Sequence, residues 1–422
     1  MKEDWKINGI LAEEIAATAF ETYTKCPSRT KPTRRSDGTP EWTNLAAIVL
    51  VKDKDSSERE CVALATGVKA TPDAVLGTAQ GRILHDCHAE TLALRSFNRF
   101  VLNECMRLEG DEDYDSPFVA KSSTTYDELL CDEAKLMTTE WRAKYKLDAS
   151  WKICMVLTEV PCGDASMENL GAGVEANWDV EPLTMNLNMP IKGRAFFSEL
   201  GVVRTKPGRS DAPISLSKSC SDKLMLRQFT SAIQSPVNLV ADPENAYIST
   251  LLVPETRFNP DSFERAFGRA AAVELEKATG AGYREQRFGW TTFHSQHEHS
   301  RAAAGAQGKP SNVSLVYVAN GAGIRAEAVV KGIRMGARGG TEASASSVSR
   351  RQLAADVAEI IYKNSKFKYS YRSLKALDHR RVRVKASARE ALRGWVRTSE
   401  DEFEVERVRL RSTTEDSRSD RQ

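Results

Sequence analysis

The sequence predicts an α/β protein, on three observations. An amphipathic helix opens the chain, two short apolar runs flanking a charged turn read as paired strands, and a strongly apolar strand candidate ends in a Pro-Cys-Gly turn. Length and composition agree, because 422 residues that are 41% hydrophobic and 28% charged hold enough material for a large core. No apolar run reaches membrane-spanning length and Met1-Lys2-Glu3-Asp4 begins no signal peptide, so an intracellular chain without a membrane partner is expected. Eight cysteines, at 26, 61, 87, 105, 131, 154, 162 and 220, lack the dense spacing of a disulfide framework and fit a reducing compartment.

In chain order, Ile10, Leu11, Ile15, Ala19, Phe20 and Tyr23 recur at helical spacing over 8–24. A basic linker with Lys25, Arg29, Lys31, Arg34 and Arg35 leads to the turn signal Asp37-Gly38. Leu45 to Val51 and Cys61 to Thr66 follow as the paired strands. From His88 to about Leu108, the residues Leu92, Leu94, Phe97, Phe100, Val101 and Leu102 supply the buried stripe of a long helix. Residues 110–145 are polar with little periodicity and read as a surface insertion. Trp151 to Val160 is the apolar strand. Ser219 and Asp222 lead into Leu224, Leu226 and Phe229, so a helix starts at Cys220. The charged tail, 408–422, reads as disordered.

Three of these element boundaries carry candidate chemistry. His88-Ala89-Glu90 stands at the mouth of the long helix. One reading is a helix start with Glu90 facing the positive end of the dipole. The other is half of a zinc deaminase site, in which the histidine binds Zn²⁺ and the glutamate, off the metal, moves protons between water and a base. Zinc then needs two further protein ligands, normally thiolates. Cys162 sits on a strand-to-helix turn, where backbone N–H groups and the helix dipole favour thiolate. The usual Pro-Cys-x-x-Cys pairing is broken by Ala165, which leaves Cys220 as the next candidate. Taken singly, either cysteine is as much at home as a buried apolar residue.

Charge is unevenly distributed. The net value is +2, yet Lys363 to Arg397 holds twelve Lys or Arg against Asp378 and Glu390, leaving about −8 elsewhere. Such a block implies nucleic acid or another polyphosphate, or else a solvated helix face. Its apolar interleaving (Tyr371, Leu374, Leu377, Val382, Val384, Leu392, Trp395) predicts that much of it packs against the body. Asn320-Gly321-Ala322-Gly323 reads as a turn. His294, His297 and His299 read as a mobile polar loop beside the Ala/Gly-rich stretch 302–309, with adventitious metal binding as the alternative.

Together, His-Ala-Glu at 88–90, Pro-Cys-Gly-Asp-Ala at 161–165 and Ser-Cys-Ser-Asp-Lys at 219–223 resemble the family of adenosine deaminases acting on RNA. Within it, the small tRNA-editing branch without appended RNA-binding domains is the nearer likeness. Glu41-Trp42-Thr43-Asn44, Ala63-Leu64-Ala65-Thr66-Gly67-Val68-Lys69 and Arg204-Thr205-Lys206-Pro207-Gly208-Arg209 point the same way, and the similarity runs from about residue 8 to 405. The resemblance implies a single domain over 1–422 with a cytidine-deaminase-like mixed sheet between helices. The zinc core would span about 40–235, and a helical C-terminal extension would span about 345–405.

It further implies Zn²⁺ on His88, Cys162 and Cys220, with Glu90 as the catalytic proton carrier. A buried inositol hexakisphosphate would be held by Arg95, Lys223, Arg350, Tyr371, Lys375, Lys385 and Trp395. Three positions depart from the better-known editors: His85 replaces Asn, Arg381 replaces Tyr, and Leu226 replaces an arginine with Arg227 adjacent. The implied reaction is hydrolysis of adenosine to inosine in tRNA, at position 37 beside the anticodon of alanine tRNA. Lys69, Arg204, Lys206 and Arg209, with Lys31, Arg34 and Arg35, are expected at RNA phosphates. No DNA partner is expected, and the chain is expected to be a monomer. The rivals are the same chemistry on double-stranded RNA and a catalytically silent RNA- or inositol-phosphate-binding protein.

Overall fold

A computed structural model describes residues 7–122, 143–168, 191–193, 199–206, 212–269, 283–320, 323–362, 369–392, 394–396, 398 and 401–405. Helix α1 (Gly9–Lys25) begins where Asn8 Oδ1 accepts Leu11 N–H at 2.9 Å. It buries Ala12, Ile15, Ala16, Ala19 and Tyr23, the stripe that period 3.6 requires. Strands β1 (Leu45–Lys52) and β2 (Arg59–Thr66) pair antiparallel, as the two apolar runs predicted. Helix α2 (Ala89–Gly110) follows with His88 as its N-cap, and then strand β3 (Trp151–Leu157).

Helix α3 (Cys220–Thr230) is capped by Ser219, whose hydroxyl accepts Asp222 N–H at 3.1 Å. Strand β4 (Ile248–Pro254), helix α4 (Pro260–Gly268) and strand β5 (Gly289–Phe293) come next. They precede the meander β6 (Val313–Asn320), β7 (Gly323–Val330) and β8 (Ile333–Arg334). Helices α5 (Arg350–Ile361), α6 (Tyr371–Ala376) and α7 (His379–Glu390) form the C-terminal extension.

The eight strands make one mixed sheet in the order β5-β4-β3-β1-β2-β6-β7-β8, parallel from β5 to β3 and antiparallel beyond. Every residue from Leu45 to Val51 is buried, because α1 and α2 both pack on β1 and β2. The extension docks through α2 against α5 and through α3 against α7. The C-terminal end of β3 lies beside the first residue of β1, where Leu45 and Thr158 exchange backbone and hydroxyl hydrogen bonds. That edge receives the turn at Cys162.

The flanks of the expected insertion are built into the fold. Val119–Lys121 pairs with Tyr145–Leu147, which Ala241–Asp242 joins in a small three-stranded sheet. Residues 123–142 of the insertion and the tail 408–422 lie outside the described residues. Among the described residues no helix is long and apolar enough to cross a membrane.

Candidate active site

Three chain segments converge at the mouth of α2. Val68–Ala70 and Asp86–His88 form a short antiparallel hairpin that ends on His88, and Ala89 N–H reaches Gly67 O at 3.0 Å. A Cβ on Gly67 would lie 2.0 Å from Cys87 O, so only glycine lets these strands close. The Cys162 turn bends through Gly163 at φ +102, and a Cβ there would lie 2.2 Å from Ser219 Oγ. The turn thus sits directly on the cap of α3. Ser221 N–H meets Cys162 O at 3.0 Å, and Cys220 N–H approaches Cys162 Sγ at 3.4 Å.

These contacts bring the three donor atoms together. Cys162 Sγ and Cys220 Sγ lie 3.7 and 3.8 Å from His88 Nδ1, and all three atoms fall within 4.8 Å of one another. A tetrahedral zinc with bonds of ~2.0–2.1 Å to nitrogen and ~2.3 Å to sulfur would need an N···S edge of about 3.6 Å, so the set fits that ion. The hydrogen bond from Cys220 holds the Cys162 thiol well below its usual range, helped by Lys206 and His88. Glu90, 6% exposed on the first turn of α2, stays outside the triad, and its Oε2 has no hydrogen-bond partner among the described residues. Burial and then the Cys162 sulfur raise its pKa.

Residues 63–399 match the family model of the adenosine-deaminase (editase) domain. The chain belongs to that family. This editase domain is 37% identical over 264 residues to the tRNA-specific adenosine deaminase 1 of Schizosaccharomyces pombe, covering 62% of each chain. It is 33% identical over 253 residues to its counterpart in Saccharomyces cerevisiae, covering 58% of each. With that of Drosophila melanogaster it shares 29% over 222 residues, which is 50% of this chain and 47% of the fly protein. The matched stretch therefore spans less than two thirds of these relatives' length.

Two expectations for RNA contacts are corrected. Lys206 is 3% exposed and directs Nζ to both oxygens of Asp86, at 2.9 and 2.7 Å, and to Cys220 Sγ at 3.3 Å. Burial opposes its charge, but Asp86 and the two sulfurs outweigh that and hold the ammonium protonated. Arg204 is 1% exposed and donates to Gly193 O and Glu199 O, at 3.1 and 2.6 Å. Neither side chain faces solvent, so neither is placed to meet a phosphate. Lys69 is exposed on the hairpin beside His88, and Arg209 lies outside the described residues.

Asp86 is the link that sequence reasoning missed. It accepts from Lys206, from Lys223 and from Ser217 Oγ at 3.0 Å, and so joins Cys220 to the basic interior of the editase domain. Beyond Lys223 lies a group of cations with few anions. Arg95 falls to about 10 and Arg227 to about 9, both mainly by burial, with neighbouring arginines adding to the shift. Lys385 is depressed by burial and by Arg389, Arg381 and Arg227. Among the described residues none of these three makes an ion pair, and Arg95 Nη2 and Arg227 Nε are buried without a partner. Lys375 stands 4.4 Å over the Tyr371 ring, and Lys218 and Arg389 stand 5.7 and 5.3 Å from Trp395.

Arg350, an expected member, and Arg381, one of the departures from the family pattern, are engaged within the chain. Arg350 Nη1 lies 3.0 Å from His85 Nε2, which is 3.0 Å from Asp401 Oδ2. Arg381 bonds Thr230 O and Ile233 O, both at 2.8 Å. The histidine loop is not the free segment expected. His297 is 4% exposed against Tyr23 and Phe20, while His299 Nδ1 meets Tyr23 OH at 3.0 Å. These histidines form no metal-ligand cluster among the described residues.

Proposed function

We propose that the chain is a zinc-dependent tRNA adenosine deaminase that hydrolyses adenosine to inosine and ammonia. The single observation that carries this is the convergence of His88, Cys162 and Cys220 around a buried, off-metal Glu90 inside an editase domain. The names of the yeast relatives support tRNA as the substrate class. The adenosine just 3′ of the anticodon in alanine tRNA is the target we favour. A base in a single-stranded loop is cheaper to turn into a pocket than one in a duplex.

His88, Cys162 and Cys220 would hold zinc, which would supply the Lewis acidity that makes water nucleophilic near neutral pH. Glu90 would take a proton from the attacking water and deliver it to the adenine ring nitrogen, then take the second proton from the hydroxyl added at C6 and deliver it to the departing amine. Its raised pKa suits a group that must both accept and donate. Lys206 keeps positive charge beside Cys220 and, through Asp86, fixes the His88 segment, since Asp86 Oδ1 accepts His88 N–H at 3.0 Å.

The cations around Arg95, Arg227, Lys375 and Lys385 would hold inositol hexakisphosphate, with Lys223, Arg350, Tyr371 and Trp395 at its margin. Buried charges without partners support this reading, because they are costly until an anion meets them. Lys69, Arg209, Lys31, Arg34 and Arg35 remain candidates for tRNA phosphates.

The test is incubation of the pure chain with alanine tRNA and with double-stranded RNA, followed by sequencing for A-to-G changes. Conversion confined to position 37 of the tRNA supports the proposal, and conversion of the duplex alone would replace it. Glu90→Ala should abolish inosine while zinc stays near one per chain, whereas Cys162→Ala or Cys220→Ala should lose both.

A further inference from the structure

Helix α4 contributes no member of the His88, Cys162 and Cys220 set, yet two arginines at its C-terminal end reach the turns that carry both cysteines. Arg265 donates from Nε to Asp164 Oδ2 at 3.3 Å and from Nη2 to Asp164 O at 2.8 Å. Arg269, which caps α4, donates from Nη2 to Asp222 Oδ1 at 2.9 Å. Asp164 is two residues after Cys162 and Asp222 two after Cys220, and both are fully buried. The two arms are joined through Gly201, whose N–H donates to Asp164 Oδ1 at 2.9 Å and whose carbonyl accepts from Arg269 Nη1 at 3.3 Å. Asp222 Oδ2 takes the Ser219 hydroxyl at 2.6 Å and Arg204 N–H at 3.0 Å, two residues before Lys206.

We propose that Arg265 and Arg269 are positioning residues for the metal, Arg265 for the Cys162 sulfur and Arg269 for the Cys220 sulfur. The contact of Gly163 with Ser219 sets how close the two turns come. Ser221 ties the turns further, through its N–H to Cys162 O and its hydroxyl to Pro161 O, both at 3.0 Å. An arginine bridging to a buried carboxylate on each turn anchors this pair of turns to α4, since a charge-assisted pair resists both rotation and withdrawal. The bridges touch neither sulfur and act through the backbone of the turns that carry them; loss of a group that orients a ligand typically weakens metal binding roughly 10–100-fold. The inference rests on the zinc reading above.

The full chain loaded with zinc should be challenged with 4-(2-pyridylazo)resorcinol and the release timed. Arg265→Gln and Arg269→Gln should each release zinc roughly 10–100-fold faster than the parent chain. The thiolate-to-metal absorption of the cobalt-substituted forms should shift, and Arg269→Lys should recover part of both effects. Phe267→Leu serves as the control, because the Phe267 side chain is buried in α4 against Phe263 and Phe288 and hydrogen-bonds neither arginine and neither aspartate. At a matched fall in Tm it should hold zinc as long as the parent does. Equal release by Arg269→Gln and the parent, or by Arg269→Gln and Phe267→Leu at matched Tm, would overturn the inference while leaving the zinc reading intact. A parent chain that binds no zinc would overturn both.

Discussion

Lys206 and Lys223 share Asp86, Arg265 bridges to Asp164, and Arg269 bridges to Asp222, so each of these four cations near the candidate metal site meets a carboxylate of the chain. On the other side of Lys223, Arg95, Arg227 and Lys385 crowd together without a carboxylate among the described residues. Asp378, an acid inside the basic block, is already engaged. It accepts from Asn238, from Tyr283 OH and from Arg381 N–H at 2.9, 2.9 and 3.0 Å at the start of α7. One cluster has its carboxylates within the chain, and on the function proposed above the other would be completed by inositol hexakisphosphate. The contrast sets apart two uses of charge, one that would orient metal ligands and one that would make folding conditional on the anion.

The largest effect should come from withholding that anion. Chain produced in cells unable to make inositol hexakisphosphate should give little soluble folded protein, with recovery on adding the compound during expression. A soluble and fully active product would erase the distinction between the clusters. Next, the same change in each cluster should act with opposite sign. Lys206→Met leaves Asp86 short of a partner and should cost about 3–5 kcal/mol in denaturant titrations, with zinc held 10–100-fold more weakly. Lys385→Met removes like-charge repulsion, so without polyphosphate it should raise the yield of folded chain, and with polyphosphate it should loosen retention of the ligand. Destabilisation by both methionines under both conditions would show that the clusters do not differ.

The smallest effect concerns a buried group in neither cluster. Burial lowers His297 from 6.5 to about 4. The unfolded chain therefore takes up this proton first as pH falls, and the stability present above pH 6.5 is lost on the way down to about 4. Linkage puts that loss at roughly 3 kcal/mol. His297→Phe should flatten that part of the stability curve, and an unchanged acid slope measured by urea unfolding would show that His297 does not supply it.

Local pattern reached much of the frame. The stripe of α1, the strands β1 to β3, the α2 boundary at His88 and the start of α3 at Cys220 were all legible from spacing and caps. The three side chains that converge, His88, Cys162 and Cys220, were legible from the combination of three short motifs. Partners far along the chain were not. Arg204 and Lys206 look like surface cations in sequence, but Lys206 meets an aspartate 120 residues earlier, and nothing local signals that. The loop at 294–299 was legible, but the burial of His297 was not, because the aromatic side chains that cover it lie on α1. The packing of the basic block was foreseen from its apolar interleaving, and Arg380, Arg381, Leu374 and Val384 are buried.

The seating of Gly163 on Ser219 has a consequence for how the protein is made. His88 and Cys162 are 74 residues apart, and Cys162 and Cys220 are 58 apart, so no single peptide segment presents two of the donor atoms. On the zinc reading proposed above, a chain extruded only through Cys162 would present two donors of the three on separate segments. The set would close only when α3 has emerged and docked on the earlier turn, and the arginines of α4 emerge later still, so loading would be tied to a late stage of synthesis.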